Sequence, residues 1–134
     1  NLIEHMKKKT CDIGTLASEL SNLELNDPNV VKVITSKNIE KEKEFSNALD
    51  FFRASKNSRT NSVYHHIGIY AFTNKALIRY VSLKRSKLEI ERKLEQLRAL
   101  ENQMKIEVGY IKDCPLSVDT EKDLEEIKKI MQIK

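Results

Sequence analysis

The chain has 134 residues, 40% hydrophobic and 33% charged, and its 24 basic and 20 acidic residues leave a formal net charge of +4. That length and apolar content suit one domain with a core of ordinary size, while charges of both signs alternate through residues 37–44 and 84–98, against the one-sided basic face of a nucleic-acid binder. No apolar run approaches the roughly 20 residues that a membrane-spanning helix needs, and Cys11 and Cys114 stand without a CxxC pair or a histidine at ligand spacing, so neither a zinc site nor a disulfide framework is expected, and a reducing cytoplasm is.

Residues 2–9 have helical composition and end in three lysines, which suit the negative end of a helix dipole. Asp27-Pro28-Asn29 signals a turn, and the β-branched residues 30–34 after it predict a strand. Residues 37–44 read as a solvated loop or an irregular hairpin arm. Residues 48–52 predict a second strand, and the polar, aperiodic residues 53–61 a loop able to close over a ligand. Residues 63–72 carry the clearest strand signal, followed by Thr73 as the N-cap of a helix through Leu77, Ile78 and Val81. Residues 88–101 predict one helix with Ile90, Leu94 and Leu97 as its buried stripe. A strand over 105–111 and a helix over 120–131, with Thr120 and Asp123 at capping-box spacing, complete the chain. The interleaving predicts an α/β fold, with some antiparallel pairing in the β-rich residues 30–72. An opening Asn-Leu-Ile-Glu without methionine reads as cut from something longer.

Three places could carry chemistry. Alternation along 63–72 puts Tyr64, His66, Gly68, Tyr70 and Phe72 on one face. There Gly68 leaves a bare patch, and the His66 and Tyr70 α-carbons are expected about 13 Å apart, room for a sugar ring. The plainer reading is a bulge or close packing at Gly68, with the histidines filling an interface. Glu95 and Gln96 flank the leucine stripe, where they can reach over a cleft, or Glu95 can simply pair with Arg98. Asp119 precedes the last helix, where open α/β sheets bind ligands, and supplies one of the carboxylates a magnesium ion takes; alternatively it only caps the helix. The three glycines, at 14, 68 and 109, make no phosphate-cradling loop.

At these residues the chain resembles the 3-deoxy-manno-octulosonate (Kdo) cytidylyltransferases, or CMP-Kdo synthetases. Thr15-Leu16-Ala17, DPNVVKV at 27–33, ALDFFR at 48–53, HIGIY at 66–70, SKLE at 86–89, LEQLRALEN at 94–102 and VDTEKDLE at 118–125 follow that family's order. The resemblance implies transfer of CMP from CTP to Kdo, forming CMP-Kdo and pyrophosphate for lipopolysaccharide synthesis, by a cytoplasmic, magnesium-dependent homodimer. It further implies a partial Rossmann-like nucleotidyltransferase fold, a mixed sheet with flanking helices, lacking the amino-terminal nucleotide-binding half. By that likeness Arg53, His66, Tyr70, Glu95 and Gln96 contact Kdo, and Asp119 holds Mg2+. Glu121 and Lys87 stand where the family usually has proline, and Phe52 where its aromatic-Ser-Arg has serine. The expected partners are Kdo, CTP, a second copy or a complementing amino-terminal half, with no nucleic acid and no membrane. A chain supplying only the sugar-binding half would be inactive alone. The alternatives are a non-catalytic interaction or dimerisation module, or a cytidylyltransferase for another acid sugar such as sialic acid.

Overall fold

The strand-rich segments close into a single mixed sheet in the computed structural model, which describes residues 2–54, 62–112 and 120–132. Around the sheet run β1 (Ile13–Ser18), β4 (Val63–Phe72), β2 (Lys32–Thr35), β3 (Phe45–Phe52) and β5 (Ile106–Tyr110), with β5 returning to β1. The β1–β5 ladder is parallel and the others are antiparallel. Helices α1 (Leu2–Lys7), α2 (Asn22–Leu25), α3 (Asn74–Ser82), α4 (Lys87–Arg92), α5 (Gln96–Glu101) and α6 (Glu121–Gln132) flank it, so the α/β expectation holds. Ile13, Val33, Phe51, Leu97, Ala99, Ile106 and Val108 make the centre of the core. No helix among the described residues is long and apolar enough to cross a membrane.

Local chemistry explains where the predicted elements begin. Strand β4 covers the predicted residues, and the Thr73 hydroxyl accepts from the Ala76 amide at 3.1 Å to start α3. At α6, Thr120 N–H donates to Asp123 at 3.0 Å while Asp123 N–H donates to the Thr120 hydroxyl at 3.2 Å, the reciprocal bonds of a capping box.

Besides α2, a single capped turn outside the sequence reading, three parts depart from the expectation. Strand β1 carries no strand signal because it is buried on both faces, which erases alternation, and because its Gly14 and Ala17 have low strand propensity. A Cβ at Gly14 would stand 2.7 Å from Leu2 Cδ1 and Met6 Sδ, so glycine there lets α1 lie directly on the sheet. The 37–44 loop is not merely solvated. Its Ile39 is 1% exposed, and the Ile39 amide donates to the buried Tyr64 hydroxyl at 2.8 Å, which pins the loop to β4.

The helix predicted over 88–101 is two. Lys93 takes a left-handed conformation, φ 57°, between α4 and α5, at a cost of about 1–2 kcal/mol for a residue with a Cβ. The break turns Leu94 and Leu97 into the core, at 4% and 1% exposure, and leaves Ile90 outside at 54%, where the unbroken stripe would have buried it. Glu89, 1% exposed, holds the joint together. Its carboxylate accepts from Ser86 N–H at 2.9 Å and from Arg98 Nε and Nη2 at 2.9 and 2.5 Å, a bidentate pair linking α4 to α5.

Candidate functional site

The break between α4 and α5 sets Glu95 and Gln96 against the sheet. They line a cleft of about 900 Å³ together with Arg53 from the end of β3 and His66 and Tyr70 from β4. These five residues, separated by up to 43 positions, are the five described residues singled out from the sequence, and they share one cavity. Asp119, the sixth, lies outside the described residues, as does most of the loop predicted over 53–61.

Strand β4 reaches the cleft through an irregularity. Thr15 of β1 pairs with Tyr70 and the next residue, Leu16, pairs with Ile67, so Gly68 and Ile69 have no partners of their own on β1. Thr15, fully buried, fills the disruption: its hydroxyl lies 2.7 Å from the Ile69 carbonyl, 3.2 Å from the Ile67 carbonyl and 2.9 Å from His66 Nε2. With one proton to give, the hydroxyl donates to the Ile69 carbonyl and accepts from Nε2–H. At Gly68 the patch of sheet is bare, since an added Cβ would meet nothing within 4 Å, and beside it the His66 and Tyr70 ring centroids lie 5.5 Å apart, within a row that runs from Phe51 to Phe72 and Tyr80. The register shift bears out a bulge beside Gly68, and the open space at this glycine speaks against close packing there.

Electrostatics fix the form of each group. Burial, with His65 beside it, pushes His66 down to about 4, so the imidazole is neutral at pH 7. Partial burial, then Tyr80 and Glu95, pushes the Tyr70 phenol upward, so it keeps its proton. Both rings thus offer neutral hydrogen bonds. Because the unfolded chain takes up a proton near 6.5 that folded His66 refuses until about 4, stability falls as pH drops through that window, by about 3 kcal/mol in total. An NMR titration should show the His66 ring signals constant from pH 8 to 5; a midpoint near 6.5 would contradict the assignment.

Arg53 spans the cleft, its Nη2 donating to the Lys93 carbonyl at 3.3 Å. Behind it stands Lys32, which is fully buried and donates from Nζ to the Arg53 carbonyl and, at 2.5 Å, to the Asp27 carbonyl. Its desolvation pulls the ammonium downward from its ordinary value. The alternative role for Glu95, pairing with Arg98, is taken by Glu89. Arg98 also stacks 4.9 Å from the Tyr80 ring, and the Tyr80 hydroxyl donates to the Glu95 carbonyl at 2.9 Å, so the joint and the cleft wall are one structure. Sequence reasoning passed over Thr15, Lys32 and Tyr80 as supports of the site. A lysine inside the apolar run Val30-Val31-Lys32-Val33-Ile34 was a readable sign of a buried, hydrogen-bonded ammonium.

The comparisons agree with this architecture. A family model described as cytidylyltransferase matches residues 1–106. The chain is 43% identical over 132 residues to a 3-deoxy-manno-octulosonate cytidylyltransferase of Bartonella bacilliformis, covering 98% of this chain and 53% of that protein. For the protein of the same name from Nitrobacter hamburgensis the identity is 41%, covering 98% and 50%. A solved CMP:2-keto-3-deoxy-manno-octonic acid synthetase complexed with CTP superposes with a TM-score of 0.80 at 27% identity, covering 98% of this chain and 54% of that one. The chain spans about half the length of the curated relatives it matches. Since the family model takes in β1 to β4 and the whole α4–α5 joint that builds the cleft, the chain belongs to the cytidylyltransferase family.

Proposed function

We propose that these residues form the acid-sugar side of an enzyme that transfers CMP from CTP to Kdo for lipopolysaccharide synthesis. The observation that carries this reading is the convergence of Arg53, His66, Tyr70, Glu95 and Gln96 on one cleft. A guanidinium fork suits the sugar carboxylate. The Glu95 carboxylate accepts from hydroxyls, Gln96 both donates and accepts, and neutral His66 and Tyr70 add uncharged hydrogen bonds over an aromatic floor. The cleft thereby holds the sugar so that its anomeric oxygen bonds to the α-phosphorus of CTP while the α–β bridge breaks and pyrophosphate leaves.

Asp119 is the proposed protein ligand for Mg2+, a hard ion that takes carboxylate oxygen and, when bound, neutralises charge on the nucleotide phosphates. The nucleotide itself needs phosphate-cradling amides, which these 134 residues do not offer in a glycine loop; the chain alone is proposed to be inactive and to work with an amino-terminal half, in the cytoplasm and as a homodimer. Apolar Ile78 and Val81 of α3, each 69% exposed, favour association, which is also what a non-catalytic module would use.

Mixing the chain with separately produced amino-terminal residues of the Bartonella bacilliformis relative, CTP, magnesium and either Kdo or sialic acid separates the readings. CMP-Kdo and pyrophosphate are the expected products. Association without turnover would mark an interaction module, and turnover of sialic acid alone a different acid-sugar specificity. Saturable binding of CTP with magnesium to the isolated chain would contradict the division of labour.

A further inference from the structure

We propose that His5, Cys11 and Glu107 form a transition-metal site, suited to zinc, on the face of the sheet opposite the cleft. Ile106 lines the cleft, so its neighbour Glu107 on β5 points to the other face, where α1 lies. There an imidazole, a thiol and a carboxylate present one ligand atom each, all within 4.8 Å of one another. They come from α1, the segment before β1, and β5.

The geometry is near that of a bound ion. Two nitrogen or oxygen ligands at about 2.0–2.2 Å from tetrahedral zinc stand about 3.3–3.6 Å apart, and His5 Nε2 lies 3.3 Å from Glu107 Oε1. Cys11 Sγ, inside the same 4.8 Å limit, reaches ligand distance by a shift of about 1 Å. The groups are also held in place. The His5 ring is stacked on Phe45 at 3.6 Å with planes 2° apart, Thr10 Oγ1 donates to Glu107 at 2.6 Å, and Met6 Sδ sits 3.6 Å from Cys11 Sγ. Such outer contacts fix ligand orientation in metal sites.

The donor set selects the ion. Sulfur with imidazole favours zinc and its neighbours over magnesium or calcium, which take oxygen. A thiolate and a carboxylate balance a divalent charge, and three ligands leave a fourth position for water. Cys11 is 7% exposed and the His5 and Glu107 side chains 11% and 13%, so the site is sheltered yet reachable. His5 and Glu107 are 102 positions apart, which is why cysteine spacing gave no hint.

Chelator-treated chain titrated with Co2+ tests the site. One equivalent should bind with a sulfur-to-cobalt charge-transfer band, Zn2+ should bleach it, and Zn2+ should raise the thermal midpoint. Cys11→Ser should abolish the band and His5→Gln should weaken Co2+ binding beyond the roughly 10- to 100-fold that loss of an outer contact costs, while Cys114→Ser should leave both intact. No band and no thermal shift in the unsubstituted chain, or a band that survives in Cys11→Ser, would overturn the assignment.

Discussion

Arg98→Ala is expected to be the most destabilising single change at the α4–α5 joint, lowering the unfolding free energy by about 3–5 kcal/mol, the usual cost of depriving a buried ion of its main partner. Glu89 is 1% exposed, and Arg98 supplies two of its hydrogen bonds as well as a cation stacked on Tyr80. A domain of this size has only about 5–15 kcal/mol to lose. The acid response should weaken. In the intact chain the Arg98 hydrogen bonds hold the Glu89 carboxyl below its ordinary 4.5, so the pair contributes fully above that value and is lost as pH falls below it. In Arg98→Ala the carboxylate keeps only the Ser86 amide and the exposed Arg85, whose Nε stands 3.8 Å away, so the loss relative to the parent should be smaller at pH 5 than at pH 7. Urea unfolding at the two pH values measures both effects, and a loss below about 1 kcal/mol would show that the pair is not the clamp.

Arg53→Ala should weaken binding of Kdo by about 2–3 kcal/mol, roughly 30- to 150-fold, the cost of removing a charged hydrogen-bonding partner. Arg53→Lys keeps the charge but not the fork, and should recover only part of the loss. The effect should be specific to affinity, because among the described residues the Arg53 guanidinium donates to the Lys93 carbonyl at an exposed position. Lys32→Met makes the complementary case. It deprives the Arg53 and Asp27 carbonyls of their shared donor, so it should cost stability first and affinity through the displaced arginine. Calorimetric titration of Kdo beside urea unfolding separates the two variants; equal affinity in Arg53→Ala and the parent would remove Arg53 from the sugar site.

The parts of the fold legible in the sequence are those with a capping residue or a long β-branched and aromatic run. Helix α3 after Thr73 and the start of α6 were readable by their caps, and strand β4 by its composition, since its buried residues do not alternate. Strand β1 was not, since burial on both faces removes the alternation that betrays a strand. Nor was the break at Lys93, because neither glycine nor proline marks it; the buried Glu89–Arg98 pair that stabilises it is a tertiary contact nine residues apart. The cleft residues were legible as a set through the order of their motifs, but their spacing was not. Nothing in the residue pattern marks the Thr15-filled bulge beside Gly68 or places the His66 and Tyr70 ring centroids 5.5 Å apart.

A crystal structure of the chain with Kdo tests most directly whether these side chains make a sugar site. The account predicts the sugar lying over the His66–Tyr70–Phe72 row, its carboxylate on Arg53 and its hydroxyls on Glu95 and Gln96. Kdo bound outside this cleft, or inside it with the carboxylate turned away from Arg53, would contradict it.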